Sequence, residues 1–196
     1  MYQQKVHESA RIKSRAIDLT IKALYKKSKR ERTHSKSVSI LVEKLAEKLA
    51  FSKDSIKQVA LTALMHDIGK IGIADNILNK EIGLDANEYN EIKNHPEIGY
   101  RILSSVNEFS GLSNFVLAHH ERWDGKGYPR GLVGEEIPIQ SRIIALVDSY
   151  VAMTDKLTYK KILSKEEAIK EIKKCSGTQF DPNLAEVFIE QVLKEQ

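Results

Sequence analysis

The chain has 196 residues, 41% of them hydrophobic, and carries 31 Lys and Arg against 27 Asp and Glu, a formal net charge of +4. This is enough apolar material for one domain with a real core, and the mild positive balance suits an anionic ligand without pointing to a polymeric nucleic acid. No apolar run is long enough to cross a bilayer, no signal peptide precedes the first charged segment, and the lone Cys175 excludes an internal disulfide framework, so a cytoplasmic protein without membrane contact from this segment is expected.

Residues 1–30 read as a unit of their own. Basic residues recur at Lys5, Arg11, Lys13, Arg15, Lys22, Lys26 and Arg30, around a weak stripe of Ile12, Ala16, Ile17, Ile21 and Leu24 at helical steps of three and four. One reading is an amphipathic helix packed on the body. The other is a linker helix that leads from an upstream sensor or receiver domain and pairs in a homodimer. The stripe is too narrow, and too poor in aromatics beyond Tyr25, for a membrane-surface helix.

From residue 35 the pattern is helical throughout, so 31–196 is expected to be one all-α bundle. Val38, Leu41, Val42, Leu45 and Leu49 share a face, and Ile56, Val59, Ala60 and Ala63 lead into His66. Asp85 and Glu88 have capping-box spacing, as do Ser164 and Glu167. Pro96 suits a helix start, and Leu112, Phe115 and Val116 precede His119. Ser141 is the expected cap of an apolar helix through Val151, and Asp181–Pro182 reads as an N-cap with proline at N1. The Gly- and Pro-rich stretch 124–140 is expected to be an irregular loop with room for a short hairpin.

Polar residues of chemical interest stand at helix ends or inside apolar runs. His66 and Asp67 end one apolar helix, His119 and His120 another, and Asp148 interrupts Ile-Ile-Ala-Leu-Val. A carboxylate there faces desolvation unless a cation meets it. Singly, each has a plainer role: a buried histidine is commonly a hydrogen-bonded core residue, and Asp148 alone could pair with Arg142 or a lysine. Five of the six histidines, His34, His66, His95, His119 and His120, fall in such positions. With Asp67 and Asp148 they point to a shared site for a first-row metal ion. Lys70, four residues after His66, would share one helical face with it.

These motifs resemble a known family. The run from His66 to Ile73 is similar to the core of the HD superfamily, and His119-His120-Glu121-Arg122-Trp123-Asp124-Gly125-Lys126-Gly127-Tyr128-Pro129 resembles the signature of its HD-GYP branch. Asn94–Gly99, Asp148–Thr154 and Gly177–Pro182 resemble three further blocks, in the same order.

The resemblance implies a helical fold holding two or three metals, usually iron or manganese. It also implies hydrolysis of cyclic di-GMP, a bacterial second messenger in signal transduction, to linear pGpG, which family members often carry onward to GMP. On matched positions His34, His66, Asp67, His95, His119, His120 and Asp148 are the ligands, with Asp67 bridging and Lys70 acting on the phosphate or the attacking water. Gly127, Tyr128 and Pro129 would shape a loop beside the substrate. Tyr128 and Trp123 either stack on guanine or pin that loop, the pinning role being favoured for Trp123.

Two departures stand out. Three-metal members carry a glutamate four residues before the first histidine; here that position is Arg30, with Glu31 next to it, so Glu31 is the stand-in for a third metal and two metals are expected. Where the family has Arg-Pro-Tyr-Arg, this chain has Leu157-Thr158-Tyr159-Lys160, leaving Lys160 to contact substrate where a guanidinium is usual. That change leaves open a weakly active or inactive signalling module, or a hydrolase of another nucleotide.

Overall fold

The computed structural model describes residues 15, 17–80, 83–155 and 162–194. Lys5, Arg11, Lys13 and the 156–161 segment with Leu157 and Lys160 lie outside the described residues. Among the described residues the chain is helical, and its only strand-like pairings are two isolated bridges. Helix α1 covers 17–27 and ends at Ser28. It is followed by α2 (Lys29–Lys48), α3 (Lys53–Met65), a tight 3-10 turn (Ile68–Gly72), α4 (Asp75–Leu78), α5 (Ala86–Ile92), α6 (His95–Ser104) and α7 (Asn107–Leu117). Then come α8 (Ile139–Thr154), α9 (Lys165–Cys175) and α10 (Pro182–Val187), which widens into a π turn over Phe188–Leu193.

The core follows the apolar stripes. Val38, Val42 and Leu45 of α2 meet Val59 of α3, Ile143 and Val147 of α8 and Phe188 beyond α10, all fully or almost fully buried. Full burial of each such side chain stabilises by roughly 1.5–3 kcal/mol. Two smaller clusters lie under α1: Ile17 packs with Met65, Leu103 and Val116, and Leu24 with Ile73, Ile77 and Leu78. The described part of the stripe, Ile17, Ile21 and Leu24, therefore packs on its own chain, while Ile12 and Ala16 lie outside the described residues.

The caps at Asp85, Ser164 and Asp181 form as their spacing predicts. Ser141 does not cap. Helix α8 starts two residues earlier, behind Pro138, whose extended backbone suits the entry. Ser141 is buried in the first turn and donates to the Phe115 carbonyl at 2.9 Å. The expected hairpin in 124–140 reduces to one antiparallel bridge, Asp124 to Val133, and a 3-10 turn at Gly134–Glu136. Arg142 turns to Asp181 at 2.7 Å, so it does not serve Asp148.

Candidate metal centre

Five segments deliver the seven expected ligands to one place. His34 comes from the second turn of α2, His66 and Asp67 from the end of α3, and His95 from the first residue of α6. His119 and His120 follow α7, and Asp148 sits mid-way along α8. The potential ligand atoms fall into two groups, one of Asp67, His95, His119 and His120 and one of His34, His66 and Asp67, with the atoms of each group within 4.8 Å of one another. Asp148 joins the second group, its Oδ1 lying 2.7 Å from His34 Nε2 and 3.7 Å from His66 Nε2. Asp67 belongs to both. One oxygen, Oδ1, is 3.2 Å from His95 Nε2, and the other, Oδ2, is 3.0 Å from His66 Nε2.

The backbone sets which nitrogen of each ring faces inward. His66, His95 and His119 each place Nδ1 against the carbonyl three residues earlier: Ala63 at 2.7 Å, Ile92 at 2.7 Å and Val116 at 2.5 Å. A neutral ring whose Nδ1–H donates to a carbonyl presents Nε2 as a lone pair, the form a metal needs. The His95 and His119 Nε2 atoms then face each other at 3.1 Å. His66 Nε2 is buried, and although Asp67 Oδ2 lies 3.0 Å away no contact to it has hydrogen-bond geometry. Converging lone pairs and an orphaned nitrogen beside buried carboxylates fit divalent cations, and the mixed nitrogen and oxygen donors suit first-row ions.

The electrostatics agree with that fit. Burial, helped by the neighbouring His120 and His95, holds His119 well below the usual histidine range, and burial with His95 pushes His120 down to about 3, so both stay neutral donors. Burial opposes charge on His66, yet the Asp67 and Asp148 carboxylates hold it well above that range, so a proton on this ring occupies the place beside them from which a bound cation would displace it. Burial likewise opposes charge on Asp67, but His66 and Lys70 keep it well below the usual carboxylate range. Negative charge is thus retained in the interior, where a cation is the natural counterpart.

Lys70 reaches the centre by a route other than the one its spacing predicts. Helix α3 ends at Met65 and the chain tightens into the 3-10 turn, so Lys70 and His66 share no α-helical face. The turn brings Lys70 Nζ to 2.8 Å from Asp67 Oδ2 and 3.1 Å from Glu31 Oε2. Burial opposes its charge, but these two carboxylates raise it and keep it an ammonium. Gly69 makes the turn possible: a Cβ there would lie 1.9 Å from the His95 carbonyl oxygen. The turn and the start of α6 are in backbone contact, which sets His95 beside Asp67.

The loop after His120 folds back on the site. Gly127 lies so close to Glu121 and Arg122 that a Cβ would meet the Arg122 nitrogen at 2.3 Å. Tyr128 stacks on His120 with centroids 4.9 Å apart, and Lys93 Nζ sits 5.3 Å from the Tyr128 centroid. Trp123 is half-buried under the Arg142 guanidinium at 5.6 Å, a pinning contact. Glu121 has a role that its place in the motif does not reveal. It is buried and accepts from the backbone nitrogens of Arg130 at 2.7 Å and Leu132 at 3.1 Å. An acid directly after two histidines, ahead of a glycine-rich stretch, was the available signal. Glu121→Gln turns one acceptor into a donor facing a donor and should lower stability by about 1–3 kcal/mol. Thermal unfolding should show it with metal content unchanged; an unaltered midpoint would remove Glu121 as the loop's anchor.

Comparison with known proteins agrees with this geometry. Residues 11–184 match the HD domain family model. The chain is 42% identical over 158 residues to a cyclic di-GMP phosphodiesterase of Thermotoga maritima, covering 80% of this chain and 43% of that protein. It is 34% identical over 170 residues to a 3'3'-cGAMP-specific phosphodiesterase of Vibrio cholerae, covering 86% of this chain and 33% of that one. The chain therefore spans less than half the length of these relatives. Among solved structures, a HDG"Y"P protein from Bdellovibrio bacteriovorus superposes with a TM-score of 0.70 at 21% identity, over 85% of this chain and 53% of the other. With the model match over most of its length and the histidine–aspartate centre assembled from its motifs, the chain belongs to the HD-domain family, in the HD-GYP branch of the HD phosphohydrolases.

Proposed function

We propose that the protein is a metal-dependent phosphodiesterase that opens cyclic di-GMP to linear pGpG, with product analysis deciding whether GMP follows. The observation that carries this reading is Asp67, shared between two groups of ligand atoms with an ammonium held against it. His34, His66, His95, His119, His120 and Asp148 would complete two divalent sites, iron or manganese being the natural occupants of such a donor set. Two bound ions would lower the pKa of a bridging water and neutralise the phosphate. The remaining work falls to side chains. Lys70 lines the cleft beside Asp67, His34, His120 and Asp148, where its charge meets the negative charge that develops as water adds to phosphorus and a ribose oxygen leaves. Tyr128, stacked on His120, forms the wall beside the substrate.

Lys70→Ala tests the division of labour. It should retain both metals and the fold yet lower turnover by roughly 10²-fold or more, as when an electrostatic transition-state contact is lost. Wild-type turnover at saturating substrate and matched metal loading would remove Lys70 from the chemical step.

The relatives' names divide between cyclic di-GMP and 3'3'-cGAMP, so both belong in the test. After anaerobic loading with iron or manganese, the protein should hydrolyse cyclic di-GMP, with 3'3'-cGAMP measured alongside. Cleavage of 3'3'-cGAMP alone would transfer the reading to that substrate. Cleavage of neither by the fully metallated protein would overturn it. An upstream sensor or receiver domain joined through residues 1–30, and a homodimer, complete the proposal, with light scattering as the check on self-association.

A further inference from the structure

The cleft at the metal centre has a volume of about 140 Å³, and among the described residues Lys70 and Arg30 are the side-chain cations in its wall. Lys70 is committed inward, to Asp67 and Glu31. Arg30 is the other cation in the cleft lining. It lies on α2 one turn before His34, and residues four apart share a helix face, so the helix that presents a metal ligand presents the guanidinium beside it. Arg30 is half-buried and lines the same cleft as His34, Asp67, His120 and Asp148.

Charge balance gives that placement a consequence. Among the described residues, the carboxylates of Glu31, Asp67, Asp148 and Asp155 line the cleft, and a cation in its wall offsets the repulsion they present to an anionic phosphodiester. A guanidinium stays charged at any working pH and offers two parallel N–H donors to two phosphate oxygens, which an ammonium cannot do.

We propose that Arg30 is a substrate-recognition residue whose guanidinium binds phosphodiester oxygens in the cleft. This rests on the phosphodiesterase reading. Recognition made equally in ground and transition states changes KM and leaves kcat alone. The test uses metal-loaded wild-type protein, Arg30→Met, which keeps the bulk of the stem, and Arg30→Lys. Three quantities are compared: metal content, KM and kcat for cyclic di-GMP, and the Kd for inorganic phosphate by calorimetry. Arg30→Met should raise KM and weaken phosphate binding by about tenfold or more, with metal content unchanged and kcat within about threefold. Arg30→Lys should recover part of the loss. KM and phosphate Kd within twofold of wild type in Arg30→Met would overturn the proposal, and so would loss of metal, which would make Arg30 a support for the ligands. If the wild-type protein cleaves no cyclic dinucleotide, the phosphodiesterase reading fails by itself, and the phosphate Kd still decides the role of Arg30.

Discussion

Asp67→Ala is expected to strip most of the bound metal and to abolish measurable turnover, the largest functional loss available from one substitution in this chain. Among the described residues the carboxylate is the one group shared by both sets of ligand atoms: Oδ1 lies 3.2 Å from His95 Nε2, and Oδ2 lies 3.0 Å from His66 Nε2. Alanine removes an anion and a bridge together. It also leaves the Lys70 ammonium with Glu31 as its remaining close carboxylate, and breaking a buried ion pair from one side costs about 3–5 kcal/mol. The carbonyl-bound rings should hold their places, because His66, His95 and His119 are fixed through Nδ1 to their own backbone. Far-UV circular dichroism of the variant should therefore report a helical protein, while elemental analysis reports well under the two equivalents expected of wild type. Asp67→Asn separates the effects, keeping shape and one oxygen while losing the charge. Retention of both metals with unchanged affinity in Asp67→Ala would remove the bridging role.

Much of the site was legible in the sequence because its signals are local. His66 and His119 each close an apolar helix, and a histidine there can fold its ring back on the carbonyl three residues earlier, which leaves Nε2 to point into the core. The capping boxes were legible for the same reason, since both partners lie within one turn. What escaped depends on contacts between distant segments. The spacing of His66 and Lys70 suggests a continued helix, but the helix ends where α6 presses against Gly69. Nothing near Ser141 reveals that its hydroxyl would be taken by the Phe115 carbonyl, 26 residues away. Glu121 was visible as a charge, but its partners are two backbone nitrogens of a loop whose path depends on the close approach at Gly127. Arg30 read as a departure from a pattern, and only the packing of α2 against the centre makes it a wall of the cleft.

Gly69→Ala should produce the largest loss of stability from adding a single methyl group. The added Cβ would fall 1.9 Å from the His95 carbonyl oxygen and 2.6 Å from the Gly99 nitrogen. Both neighbours are backbone atoms of α6, so no side-chain rotation relieves the contact, and the helix itself has to move. Overpacking of this kind costs about 1–3 kcal/mol and occasionally more, and the backbone character of the clash places this case at or above the upper end. For a domain of this size that lowers Tm by roughly 5–10 °C. The displacement is also directed at the site. His95 opens α6, and its Nε2 is 3.2 Å from Asp67 and 3.1 Å from His119, so retreat of the helix separates the ligands of one group while His34, His66 and Asp148 keep theirs. Metal content should accordingly fall toward one equivalent. Gly111→Ala is the matched control. It lies in α7 with nothing within 4 Å of an added Cβ, and should be neutral or stabilising by up to about 1 kcal/mol, as alanine is over glycine in a helix. Comparing the two variants by calorimetry and elemental analysis separates a clash at one backbone contact from a general intolerance of glycine replacement. Equal melting temperatures and equal metal content would mean that the turn and α6 are not in contact, and that the position of His95 is set by something other than the backbone of Gly69.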